Sequence, residues 1–177
     1  MNAGKNTLAL CIVTALLAAC GSKSSSDSTG PDRSLIPTVN IADFSVNKGA
    51  ATENGITTIS PTIDEGKFTL DWNVTSANTF QLRLFLSTDE TLSTDDIRLF
   101  SNAMCGAVRL NDCMAQDQYD CQFSSDNTLA CTDGWQTYSG DLVTKGFLKE
   151  LPQQAYFIAQ TCIVNECKTA VTKVEFQ

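Results

Sequence analysis

Beyond residue 38 the chain alternates between apolar and polar side chains, one by one, along most of its length. In Lys67–Val74 the residues Phe68, Leu70, Trp72 and Val74 fall on one side, with Thr69, Asp71 and Asn73 on the other. Thr79–Leu86 repeats the pattern with Phe80, Leu82, Leu84 and Leu86. A period of two marks strands with one buried face. Asn40–Val46, Ile56–Ser60, Ile97–Ser101, Val108–Leu110, Tyr156–Val164 and Ala170–Phe176 read as further strands, separated by short polar turns. So many half-buried strands predict an antiparallel, all-β fold with Trp72 in its core. Helical spacing is absent after the first twenty residues, although 141–150 would allow one short helical turn.

The N-terminus breaks this rhythm. Lys5 is the only charge before an apolar run, Leu8–Ala19, shorter than the roughly 20 helical residues needed to span a bilayer. The run fits the hydrophobic region of a secretory signal. It ends in Leu17-Ala18-Ala19-Cys20, which resembles the lipobox of bacterial lipoproteins. That resemblance implies removal of residues 1–19, a diacylglyceryl group on the Cys20 thiol and an acyl chain such as palmitate on the new amino group. Several acyl chains suffice for stable anchoring. Gly21 and Ser22 stand where inner-membrane retention usually shows Asp, so the resemblance favours the outer membrane. Residues 20–38, rich in Ser, Gly and Asp, then read as a lipidated tether with an r.m.s. span of roughly 20–25 Å. The folded domain is expected at 39–177.

Of eight cysteines, Cys11 leaves with the signal and Cys20 takes the lipid. Cys105, Cys113, Cys121, Cys131, Cys162 and Cys167 remain, an even number in an oxidising compartment, which predicts three disulfides. Their spacings include no C-x2-C pair and there is no histidine, so a structural zinc site is poorly served. Six cysteines allow fifteen pairings, among which sequence alone does not choose. Local geometry suggests Cys162 with Cys167 across a short loop. Cys121 with Cys131 would span the turn Ser124-Ser-Asp-Asn127, which leaves Cys105 with Cys113.

Phe68-x-Leu70-x-Trp72, the turn Ser76-Ala-Asn78 and the strand 79–86 resemble the second and third strands of a fibronectin type III or immunoglobulin-like sandwich. Leu148–Tyr156 is similar to the corner before that fold's penultimate strand, which implies that the Tyr156 ring enters the core. Residues 101–147 exceed the family pattern and read as a disulfide-rich insertion. Leu84–Leu99 is also similar to a segment of cell-adhesion-related domains of bacterial surface proteins, themselves immunoglobulin-like.

Composition then narrows the chemistry. With no histidine, an imidazole-based triad is excluded. A formal charge of −8 argues against nucleic acid as a partner. No G-x-S-x-G, P-loop or H-E-x-x-H motif occurs. Asp89, Asp95 and Asp96 could supply oxygens to a calcium ion as cofactor, although their spacing is not that of an EF-hand and Asp commonly caps turns. Asp112, Asp117, Asp120, Asp126 and Asp133 would make the insertion acidic. Trp135 and Tyr138, in a glycine-flanked stretch, are the aromatics offered for ligand contact, with packing over a disulfide as the alternative. Together these features predict a non-enzymatic, lipid-anchored binding or adhesion module, or an accessory subunit that meets another envelope or surface protein. A carbohydrate- or calcium-binding module is the alternative, and a small hydrolase built on a carboxylate pair is a third class.

Overall fold

Among the described residues the alternating segments form strands, and Phe68, Leu70, Trp72 and Val74, like Phe80, Leu82, Leu84 and Leu86, are buried together. The computed structural model describes residues 38–51, 55–106, 113–132, 137–139 and 146–177. In chain order the strands are β1 (Val39–Asn47), β2 (Ala50–Ala51), β3 (Thr57–Ile59), β4 (Lys67–Ser76), β5 (Phe80–Ser87) and β6 (Ile97–Cys105). They continue with β7 (Gln116–Phe123), β8 (Leu129–Thr132), β9 (Thr137–Ser139), β10 (Gln153–Ile163) and β11 (Glu166–Phe176). Two sheets result, one ordered β1-β4-β7-β8-β9 and the other β2-β3-β11-β10-β5-β6. Every pairing is antiparallel except β3 with β11. The fold is thus an all-β, sandwich-like pair of sheets carrying three disulfides.

Aromatic rings join the layers. Phe68 meets Phe157 at a centroid distance of 5.6 Å, and Phe123 meets Phe176 at 4.9 Å. Trp72 stacks on Phe100, which in turn tilts against Tyr119 at 5.1 Å. Trp72 is a core residue, as its place in the alternation requires. Hydrogen bonds cross between the sheets on both sides. Thr172 Oγ1 donates to the Phe44 carbonyl at 2.8 Å, and the buried Tyr119 hydroxyl lies 3.4 Å from the Leu99 carbonyl and 3.3 Å from that of Cys131.

Two expectations need correction. Residues 101–147 are no excursion from a finished sandwich, because they complete β6 and supply β7, β8 and β9 of the five-stranded sheet. In β7 the inward residues are Tyr119, Cys121 and Phe123, so a cysteine holds a core position that an apolar count passes over. Tyr156 is half-buried on the outer side, under Lys173 Nζ at 5.7 Å from its ring, and Phe157 is the core aromatic of β10. Val108–Leu110 lies outside the described residues, as do 141–145. Residues 146–147 are helical, consistent with the short turn expected there.

The disulfides pair locally. Cys121 faces Cys131 across β7 and β8 with Cα atoms 4.0 Å apart, and Cys162 faces Cys167 across β10 and β11 at 4.1 Å. Cys105 bonds Cys113, where the backbone closes with Gly106 N–H donating to the Cys113 carbonyl at 2.9 Å. At the other end Gly66, with φ of 72°, packs so tightly on the Phe123 carbonyl that no Cβ would fit.

Candidate functional surface

The outer face of the five-stranded sheet is where the polar half of the alternation accumulates. Strand register places Asp43, Asn73 and Gln116 in one cross-strand row, and Ser45, Asp71 and Gln118 in the next. Asn47, Thr69 and Asp120 form a third row, which Thr132 of β8 extends. Every member carries a carboxylate, amide or hydroxyl, so the face is a lattice of donors and acceptors. A shallow groove of about 560 Å³ runs over the first two rows. A second, of about 460 Å³, lies over β4, β7 and β8 between Lys48, Lys67, Asp120, Gln122 and Thr132, with Ala130 in its floor. Amides and carboxylates line the first groove, and lysines border the second.

Some of these groups are tied down already. Asn47 Nδ2 donates to Asp71 Oδ2 at 2.6 Å, and Gln118 Nε2 to Asp120 Oδ1 at 3.1 Å. Others are not. Asp71 Oδ1 is buried without a hydrogen-bond partner, as is the hydroxyl of Thr69, a residue only 1% exposed despite its outward position. Ser45, whose hydroxyl donates to Asp43 Oδ2 at 3.3 Å, also lines the first groove, as do the exposed Asn73 and Gln116. Planar amides and carboxylates at this density suit a polar ligand with many hydroxyl or amide groups.

The sequence-derived candidates fall elsewhere. Asp89 and Asp96 organise the β5–β6 loop: Asp89 Oδ1 accepts from Thr91 N–H and Asp96 Oδ2 from Ser93 N–H, each at 2.7 Å. Asp95 is exposed on the same loop. The turn reading accounts for these contacts, and among the described residues no three carboxylates or thiolates gather where a metal ion would bind. Asp117 and Asp120 sit on β7, Asp126 lies in the β7–β8 turn, and Asp112 and Asp133 lie outside the described residues. Trp135 also lies outside them. Tyr138 belongs to strand β9 opposite Cys131, rather than to a loop, and its ring is not among the described side chains. Cys20 and the tether lie outside the described residues too.

Glu65 lies just before β4, beside Lys67. Its carboxyl accepts a hydrogen bond from Lys67 and feels that cation's charge, which together hold it below the usual glutamate range. Periodicity could have exposed the polar face, since 69-71-73 and 116-118-120 are the outward halves of their strands. Their lateral alignment needs the register. No protein-family model matches the chain, and no curated protein or solved structure matches it either.

Proposed function

We propose that the chain is a lipid-anchored envelope protein whose sandwich serves as a non-enzymatic binding module, either in adhesion or as an accessory part of an envelope assembly. The lipobox-like Leu17–Cys20 supports the anchor, and an immunoglobulin-like arrangement suits the two-sheet stack. The observation that carries the binding role is the polar lattice on β1, β4 and β7. Among the described residues Asp43, Asn47, Asn73, Gln116, Gln118 and Asp120 of its three rows are exposed to solvent beside two grooves, with Thr69 buried between them. Such a face recognises by hydrogen bonding, and the tether gives it reach from the membrane.

A charge-and-size change in the middle of the lattice tests this reading. Asn73→Arg with Gln118→Arg places two guanidinium groups over the first groove while leaving every core residue intact. The wild-type chain, isolated from envelopes after cross-linking, should carry a defined partner that the double variant loses at unchanged circular dichroism. Equal recovery by both proteins overturns the assignment of this face.

The carbohydrate alternative is favoured by the amide and carboxylate density of the first groove. It predicts glycan-array binding that Asn73→Ala weakens; no signal over a broad array removes it.

A further inference from the structure

The two ends of the sandwich differ in chemistry. At one end lie the start of β1, the loop 77–79, the Cys105–Cys113 bridge and the β10–β11 hairpin. Register fixes this, since Val39 pairs with Ser76, Phe80 with Cys105 and Gln81 with Cys162. Three of the exposed large apolar side chains of the described residues sit here: Val164 at 86%, Met114 at 55% and Met104 at 50%. Adjacent strands lie about 4.8 Å apart, so Val164 on the hairpin and Met104 on β6 are separated by roughly two strand spacings. Met114 enters from the facing sheet, its carbonyl held by the Trp72 indole N–H at 3.0 Å.

Val164 is held at φ of 54°, in the left-handed region that β-branched residues avoid and hairpins usually give to glycine or asparagine. The Cys162–Cys167 bridge brackets this turn and fixes its exit angle. An exposed valine at a strained tip is a feature that solubility alone does not call for. Charged neighbours at this end include Asp117, Glu166 and Lys168, with Lys168 Nζ 3.6 Å from Glu166 Oε1.

The opposite end is acidic. Asp64, Glu65, Asp89, Glu90, Asp95 and Asp96 ring it, with Lys48, Lys67 and Lys149 among them. Negative charge in this density is repelled by an anionic surface within a Debye length, about 8 Å at physiological salt.

The chain reaches the sandwich at Val39, on the apolar end. We infer that this end seats on the lipid surface, with Val164, Met104 and Met114 entering the headgroup region and the acidic loops turned away. The inference rests on the reading of Cys20 as a lipid anchor. Lipidation holds the domain within reach of the bilayer, and the three apolar side chains then set its orientation. The polar lattice runs along the side of a domain so held and stays accessible to a partner.

Met104 and Met114 are the only methionines besides Met1, so they report on this end without labels. The test uses the full-length precursor processed in a bacterial host, reconstituted in phosphatidylethanolamine–phosphatidylglycerol vesicles, whose surface is anionic, and exposed to chloramine-T, a charged oxidant. Methionine sulfoxide is read by peptide mass spectrometry. In vesicles the lipidated protein should oxidise at both methionines at least about five-fold more slowly than Cys20→Ser protein in the same suspension. Val164→Asp should restore fast oxidation while sedimentation with vesicles is unchanged. Val164→Gly, which suits the positive φ, should also weaken protection and guards against misfolding as the explanation. Acylated, sedimenting protein whose methionines oxidise at the rate of the Cys20→Ser protein overturns the seating alone. Absence of acyl mass on Cys20 overturns the anchor and the seating with it. Protection seen in native envelopes but not in protein-free vesicles assigns the end to a protein partner and overturns the lipid assignment.

Discussion

The indole N–H of Trp72 donates to the backbone carbonyl of Met114 across 3.0 Å. One residue thereby performs two tasks, since its ring stacks on Phe100 in the core while its polar edge fixes the start of β7. Trp72→Phe keeps an aromatic ring and removes the donor. A net hydrogen bond contributes about 0.5–1.5 kcal/mol and the lost ring volume adds to that, so a destabilisation of roughly 1–3 kcal/mol is expected in urea denaturation. Amide exchange should accelerate around Ala115, whose carbonyl accepts from Val74 N–H.

Tyr119→Phe isolates the seam between the sheets. The hydroxyl lies within hydrogen-bonding reach of carbonyls on β6 and β8 and is fully enclosed. Its removal leaves a buried acceptor short of a partner, a loss of about 1–3 kcal/mol. A midpoint unchanged in equilibrium unfolding would show that packing alone holds this edge.

The two hairpin disulfides should differ in cost when removed. Both close short loops, which by chain entropy amounts to about 2–3 kcal/mol each. Cys121 and Cys131 are also buried in the core, whereas Cys167 is exposed. Replacing the buried pair by Ala should therefore destabilise more than replacing Cys162 and Cys167, because it also leaves a cavity. Thermal unfolding of the two double variants gives the order.

Asp96→Ala and Asp89→Ala should each weaken the β5–β6 loop by about 0.5–1.5 kcal/mol through loss of a side-chain acceptor for a turn amide. The loss should be the same in millimolar calcium and in chelator. A calcium-dependent midpoint in the wild type that Asp96→Ala abolishes would restore the cation reading of this loop.

The pH response of Glu65 has a definite sign. Its folded-state pKa is lowered, mainly by the hydrogen bond from Lys67 and then by that cation's charge. Whatever the pair contributes to stability is present above the ordinary glutamate pKa and is lost as pH falls through the lower, folded value. The site is exposed, so the contribution is small and screened by salt. Lys67→Met should move the Glu65 carboxyl titration upward when followed by NMR.

Much of this was legible in the chain. Phe68, Leu70, Trp72 and Val74 announced both strand and core face, because a period of two leaves little choice when one face is buried. Cys162 and Cys167 suggested their own closure by spacing. Strand β7 was harder to read. Its inward positions are Tyr119, Cys121 and Phe123, and the glutamines and aspartates between them look like a soluble loop until a partner strand is known. The outward residues of β1, β4 and β7 lie far apart in sequence, so nothing local shows Asp43, Asn73 and Gln116 in one row.

By itself, then, the sequence determined the all-β class, the core faces of β4 and β5 and the supply of six cysteines for bridges. Those follow from side-chain periodicity and from chemistry carried by single residues. Only the tertiary structure decided which strands neighbour one another, and with that the polar lattice on one sheet and the apolar end with Val164, Met104 and Met114. Register and sheet order are long-range properties, set when distant segments bury their apolar faces together. The polar sides then come to rest wherever that packing leaves them.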